Sequence, residues 1–368
     1  MNYASRRTLL STLFILTACA TCLSGCPSES KPKEGTDKPA VSGKSAGTGE
    51  TQKPPTSNKE FKIGWSVWTG WMPFKLMDEK GFLQKRAKEH GVKIKLVEFK
   101  GYMDSVQAYA AKKLDGCAMT SMESLQPASN GVKSAGILIN DRSHGGDGVL
   151  ARGTTDVKGL AGKTVLLEEF SVSHYLLNRA LESVNLKEKD VKIKNIPGDD
   201  AGKAFITDPN VQVVATWNPH LFQAVEAGKG KVIFSSRDIP NEIMDFLIVS
   251  DAALKEAPGL GKALTDAWFD AMDYITNTAT RKEAIEIMAK GAGSSVEDFN
   301  KMLADTDLFT DKKKSADFLE GDVIKSTMTK VKKFSFDHDL VKDDKFTIGF
   351  GKDAKDLLRF DNSYIVVK

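Results

Sequence analysis

From Phe61 onward the chain alternates short apolar runs with longer stretches of helical spacing. Phe61, Ile63 and Trp65 read as a strand that breaks into a loop at Thr69 and Gly70, and Pro73 follows where the first turn of a helix accepts proline. Lys75 to Glu89 reads as a helix ended by Gly91, Val92 to Phe99 as a strand, and Tyr102 to Lys113 as a helix. Cys117 to Thr120, Ser134 to Asn140 and Val149 to Arg152 are apolar runs of strand length. A second set holds strands Thr164 to Glu168, Val191 to Ile196, Val211 to Ala215 and Lys231 to Ser235. Between them run the helix His174 to Val184, capped by Ser171 or Ser173, and the helix Ala201 to Ile206. Phe246 to Ser250 reads as a return to the first set. From Ala252 to Thr329 the spacing is mainly helical, as in Ala263 to Thr278, Arg281 to Lys290 and Val296 to Asp305, and Phe346 to Lys368 is weakly patterned.

Strands separated by helical stretches predict an α/β fold of doubly wound, mostly parallel sheets. Crossovers in such sheets are right-handed, and the loops at the strand C-termini converge on a crevice. Two such sets predict two lobes. The expected division is lobe 1 from 60–150 and 245–368, with a helical C-terminal region, and lobe 2 from 151–244.

The start of the chain adds a destination. Arg6 and Arg7 precede an uncharged apolar run, Leu9 to Leu23, too short for a membrane span and followed by small residues. The run ends Leu23-Ser24-Gly25-Cys26, which resembles the lipobox of bacterial lipoproteins. That resemblance implies a signal peptide over 1–25, cleavage before Cys26, and a lipid on Cys26 that holds the exported protein to the cell membrane, facing the periplasm or outer surface. Residues 27–59 hold one valine, Val41, and no aromatic, so they predict a disordered tether.

Composition narrows the classes. The full chain has 52 basic and 49 acidic residues, and the signal takes Arg6 and Arg7 with it, leaving a mature chain near neutrality. No charge argument for nucleic acid survives that balance. Cys19 and Cys22 leave with the signal and Cys26 is modified, so Cys117 is the one remaining free thiol and no internal disulfide is expected. The five histidines show no metal spacing, Cys117 has no CxxC partner, and neither GxGxxG nor a P-loop occurs. No metal and no cofactor is expected. His144-Gly145-Gly146-Asp147-Gly148 reads as a turn at the lobe crossing.

Several segments in order carry a family resemblance. They are Lys158-Gly159…Gly162-Lys163-Thr164-Val165, then Ser171-Val172-Ser173-His174, an acidic Pro197-Gly198-Asp199-Asp200 turn and a Trp217-Asn218-Pro219 turn. This order resembles the substrate-binding proteins of the nitrate, sulfonate and taurine class of ABC importers. The loop Trp68-Thr69-Gly70-Trp71-Met72-Pro73 and the run Thr120-Ser121-Met122-Glu123-Ser124-Leu125 look most like the branch found beside urea carboxylase genes. The resemblance implies a type II periplasmic-binding-protein-like fold whose lobes close on a small-molecule ligand. It also implies a monomer that delivers the ligand to an ABC permease and its ATPase and performs no chemistry on it. Enzymes of pyrimidine or menaquinone synthesis share such lobes, but a lipobox and tether sit badly with them.

Charge speaks to the ligand. The loops sent to the crevice contain Glu123, Glu168, Glu169, Asp199 and Asp200, and no lysine or arginine. A nitrate or sulfonate site ordinarily uses arginine or backbone donors, although a helix start such as Ser171 to His174 also binds anions. Acids among Trp68, Trp71 and Trp217 suit a small cation, and the urea-carboxylase branch implies urea or guanidine. The candidate ligand contacts are Trp68, Trp71, Glu123, Glu169, Ser173, Asp200 and Trp217. Glu123 equally suits a helix start, and Trp217 equally suits packing between lobes. Strand alternation points only one of Glu168 and Glu169 inward. Of Asp199 and Asp200 one is expected to cap the helix and the other, Asp200, to face the crevice. His174 reads as a solvated residue at a helix start. The alternatives are a taurine, aliphatic sulfonate or nitrate ligand, or a thiamine-pyrimidine precursor.

Overall fold

Strand β1 (Glu60–Ser66) is apolar on alternate residues, and its Phe61, Ile63 and Trp65 are buried. The structure, a computed structural model, describes residues 58–367 apart from 229 and 344. The expected signal peptide, Cys26 and all but the last two residues of the tether lie outside the described residues. Lys59, at the end of that segment, pairs with Asp115 at 2.7 Å, so it belongs to the folded body.

The further strands are β2 (Lys93–Phe99), β3 (Gly116–Thr120), β4 (Ser134–Ser143) and β5 (Asp147–Ala151). Then come β6 (Thr164–Leu167), β7 (Lys192–Asn195), β8 (Val213–Trp217), β9 (Lys231–Ser235) and β10 (Met244–Ser250). Three short strands close the series: β11 (Thr306–Leu308), β12 (Ile348–Phe350) and β13 (Leu358–Phe360). They form two sheets. One has the order β12-β13-β4-β10-β3-β1-β2, with β11 added on β4, and the other has the order β7-β6-β8-β5-β9.

Each sheet is parallel where helices connect its strands, as in β3-β1-β2 and β8-β6-β7, and antiparallel where the chain arrives from the other sheet. β10 runs against β3 and β4, and β5 runs against β8 and β9. This is the two-lobed α/β fold expected. The first crossing falls at 144–146, because β5 pairs in the five-stranded sheet, whereas the sequence division kept residues to 150 in the first lobe.

Four other expectations change. The single helix expected over Lys75 to Glu89 is two, Met72–Glu79 and Phe82–Glu89, broken at Gly81, whose φ of 71° lies in the left-handed region. The weakly patterned tail supplies β12 and β13, which extend the first sheet by parallel pairing with β4. Their side chains are too few to show a period. Gly136 admits this pairing, since a Cβ there would lie 2.6 Å from the Phe360 ring. The helix expected from His174 begins at Val172 and ends at Ser183, with the Ser171 hydroxyl accepting from the Ser173 amide. The helix expected from Ala201 begins three residues earlier, at Gly198. No helix among the described residues is long and apolar enough to cross a membrane.

Candidate functional site

The strand ends of the two sheets meet around a cavity of about 20 Å³. That is room for about one water molecule, well below the roughly 300–1,000 Å³ of small-molecule sites, so any larger ligand requires the lobes to part. From the first sheet's side the wall is made by Ser66, Trp68, Trp71, Tyr102, Thr120, Ile243 and Asp245, and from the second by Asp147, Val172 and Trp217. Among the described residues no lysine, arginine or histidine lines it.

Four of these walls are aromatic. The uncharged loop after β1 turns through a short 3-10 segment, Thr69–Trp71, which carries Trp68 and Trp71 into the cavity. Tyr102 stands between Trp71, at 5.4 Å between ring centroids, and Trp217, at 6.0 Å and edge-on. Glycines let the rings in. A Cβ on Gly146 would lie 2.4 Å from the Trp68 ring, and one on Gly198 would lie 2.0 Å from Trp217. The Trp71 indole nitrogen is buried with no partner among the described residues, so the wall offers one free donor. Trp65 points the other way, into the core against Phe74.

The charge in the wall comes from acids that the sequence reading missed. Asp147 and Asp245 line the cavity, and Asp141 stands behind Trp68, whose indole nitrogen donates to its Oδ1 at 3.1 Å. Burial pushes the Asp147 carboxyl up to about 7, with Asp141 and Glu123 adding to the rise. Burial likewise pushes Asp245 well up, helped by the neighbouring Asp141. One signal was available for Asp147, which sits in the glycine-rich crossing turn. Asp141 and Asp245 look like polar ends of apolar strands, and nothing local says that those ends meet.

The expected residues divide. Trp68, Trp71 and Trp217 lie in the cavity wall. Glu123 is fully buried one layer behind it. It accepts the Thr120 hydroxyl and, at 2.7 Å, the backbone amide of Val172 at the start of the helix Val172–Ser183. Its carboxylate therefore ties the end of β3 to a helix of the other lobe. Burial raises its pKa, and the Thr120, Tyr102 and Val172 donors oppose the rise. Ser173 is buried beside Val172 with no partner for its hydroxyl among the described residues, and it does not line the cavity.

Glu169 is half-buried outside the wall, where its amide donates to Asn195. Its neighbour Glu168 is the deeper of the two, accepts the Gly198 amide at 3.3 Å, and is pushed by burial up to about 7. β6 ends at Leu167, so strand alternation no longer governs either residue. Asp200 is a correction. Because the helix starts at Gly198, Asp199 and Asp200 both fall in its first turn and pair with Lys203, at 3.0 and 3.3 Å, and Asp200 is exposed.

His174 is also a correction, being buried rather than solvated. The fold brings it to Glu188, 3.1 Å away, which in turn lies 2.7 Å from His338, the residue that ends the helix Asp322–Asp337. The three ligand atoms lie within 4.8 Å of one another, close enough to share a metal ion although the spacing in sequence gave no hint. The hydrogen bonds favour a clasp. His174 Nδ1 accepts the Phe170 amide, which leaves the proton on Nε2 facing Glu188. His338 Nδ1 faces the Phe334 carbonyl at 2.8 Å and so carries a proton. Tyr175 and Arg179 of the helix Val172–Ser183 and Lys330 of the helix Asp322–Asp337 also converge on Glu242, at 2.7, 2.8 and 2.6 Å.

An aromatic, acid-lined cavity between two crossed α/β lobes is the arrangement of a two-lobed binding protein. Comparison with known proteins agrees. A family model, the NMT1-like family, matches residues 54–289. The chain belongs to the NMT1-like family. It is 25% identical over 291 residues to a protein of Bacillus subtilis (strain 168) that carries the name of an aliphatic sulfonates-binding protein, covering 71% of this chain and 80% of that one. Its fold matches the alkanesulfonate-binding protein SsuA from Xanthomonas axonopodis pv. citri bound to MOPS, with TM-score 0.65 and 16% identity over 77% of this chain and 94% of that one. The desulfurization enzyme DSZB shares the fold at TM-score 0.55 and 14% identity, over 77% and 94% of the two chains.

Proposed function

We propose that this chain is the exported solute-binding component of an ABC importer and that it captures a small planar cation, guanidinium first, between its lobes. One observation carries the reading. Among the described residues the cavity is walled by four aromatic side chains and two buried carboxyl groups, with no basic side chain. Each ring over a cation contributes about 0.5–2 kcal/mol, and a carboxylate can pair a guanidinium through two parallel hydrogen bonds. Delivery would be to a membrane permease driven by its ATPase, with the Cys26 lipid holding the protein at the membrane as a monomer. The placement in the urea-carboxylase branch rests on the Trp68 to Pro73 loop and the Thr120 to Leu125 run. No reaction on the ligand is part of this reading. Incubation with guanidinium should return it unchanged, and product formation would move the chain to the enzymes of this fold.

The second reading is an alkanesulfonate or taurine, favoured by the names of the relatives and by the free Trp71 indole donor beside the Ser66 and Thr120 hydroxyls. Two acids without a base oppose it, since an anion would have to be stripped of water beside negative charge. Urea, with a carbonyl for Trp71 and amides for the acids, stands between the two. Calorimetric titration with guanidinium, urea and taurine decides. Heat with guanidinium and none with taurine is the expected result, and the reverse restores the sulfonate reading.

A further inference from the structure

Asp141 and Asp245 sit directly opposite each other on the antiparallel pair β4 and β10. Their residues are 0% and 2% exposed. Asp141 Oδ1 is held by the Trp68 indole, while Oδ2 has no hydrogen-bond donor among the described residues. The backbone of Gly70 packs against the Oδ2 side so closely that a Cβ there would lie 2.0 Å away. Across the strand pair the Asp245 carboxyl faces it.

The surrounding charges do not relieve the pair. Asp147 comes from β5, Glu123 from the end of β3, and Asp307 from β11, and all are acids. Tyr102 contributes a neutral hydroxyl whose ionisation burial opposes. Arg142 is the nearest base in sequence, but its guanidinium is bound by Asn241 and Asp307 and lies over the Phe309 and Phe318 rings. Two facing carboxylates in a dry site without a cation cannot both be ionised.

We propose that ligand capture at this site is a cation-for-proton exchange, in which the empty Asp141–Asp245 pair shares a proton and a bound monocation expels it to solvent. The inference rests on the cation reading above. The balance is one proton out for one positive charge in, so the net charge of the buried site is conserved. The pair thereby selects for charge. A neutral ligand leaves the proton in place, and an anion would draw protons in. Trp68 links the exchange to the ligand, because the same side chain that walls the cavity holds one oxygen of the pair.

The test is calorimetry of guanidinium binding to the whole mature protein in phosphate and in Tris, whose ionisation heats differ, from about pH 5.5 to about pH 8.5. The expected result is a release of about 0.5–1 proton per guanidinium around neutral pH, and a Kd that tightens up to about tenfold per pH unit on the acid side. Asp141→Asn and Asp245→Asn should each remove most of that release while Asp147→Asn keeps it, and if neither pair variant folds the Asp147→Asn proton count decides, its loss overturning the proposal. Guanidinium binding with no proton exchange and a flat Kd overturns the proposal while leaving the cation reading intact. No guanidinium heat at any pH overturns both.

Discussion

Glu123→Gln tests how the lobes are held. The Glu123 carboxylate is fully buried and bridges the Thr120 hydroxyl on one side to the Val172 amide on the other, at 2.7 Å. Val172 opens a 12-residue helix, so the carboxylate also meets the positive end of that helix dipole. Glutamine keeps the size and one accepting oxygen. It loses the charge and turns an amide donor toward one of the two donors, which leaves that donor unpaired. A buried hydrogen bond to a charged group is worth about 1.5–3 kcal/mol, equivalent to a factor of roughly 10–150 in the open-to-closed ratio. Gln126→Ala is the control, because it removes only a neutral, exposed link to the Phe170 carbonyl and should shift the same ratio by a factor of about 2–3. The assay is small-angle scattering of the ligand-free protein, joined to fluorescence transfer between labels on Lys163 and Lys95. Glu123→Gln should enlarge the radius of gyration and lengthen the label distance, with Gln126→Ala close to wild type. An unchanged ligand-free distance together with weakened ligand binding would refute the latch and make Glu123 a ligand contact instead.

The remaining predictions concern pH, the clasp and the anchor. Asp147 and Glu168 are each held up at about 7 by burial, above their unfolded values. Their contribution is present below about pH 4 and lost as pH rises through about 7, so the melting temperature of the ligand-free protein should fall from pH 5 to pH 8, and Asp147→Asn should flatten that fall. Burial works to raise Glu188, but His174 and His338 outweigh it and hold the carboxyl down at about 2. Glu188→Gln should therefore destabilise by about 1 kcal/mol at neutral pH in chemical denaturation, with the difference from wild type fading as pH falls from about 4.5 toward 2. Cys26→Ala should leave the protein unlipidated and move it from the membrane to the soluble fraction, as read by fractionation and mass spectrometry. A lipid still attached after that change would remove Cys26 as the anchor.

Much of the fold could be read from periodicity. Alternation in Phe61 to Trp65 marked β1, the run from Lys231 to Ser235 is β9 residue for residue, and Ser171 was one of two candidate caps for the helix it caps. These features rest on local forces, in which a side chain's neighbours along the chain set its preference. The aromatic half of the site was legible for the same reason. An uncharged loop holding Trp68 and Trp71 follows a strand, and α/β topology sends such loops to the crevice.

The acidic half was decided by tertiary structure. Asp141, Asp147 and Asp245 belong to three strands in two sheets, and they meet because β10 returns antiparallel between β3 and β4 and because β5 joins the second sheet rather than the first. Asp200 shows the same limit from the other side, since a three-residue shift in a helix start turned it from the crevice to Lys203. The sequence determined the lobes, the tryptophan loop and the shortage of basic side chains near it. Which carboxyl groups face the ligand depended on strand pairing between segments about a hundred residues apart, and no local periodicity carries that information.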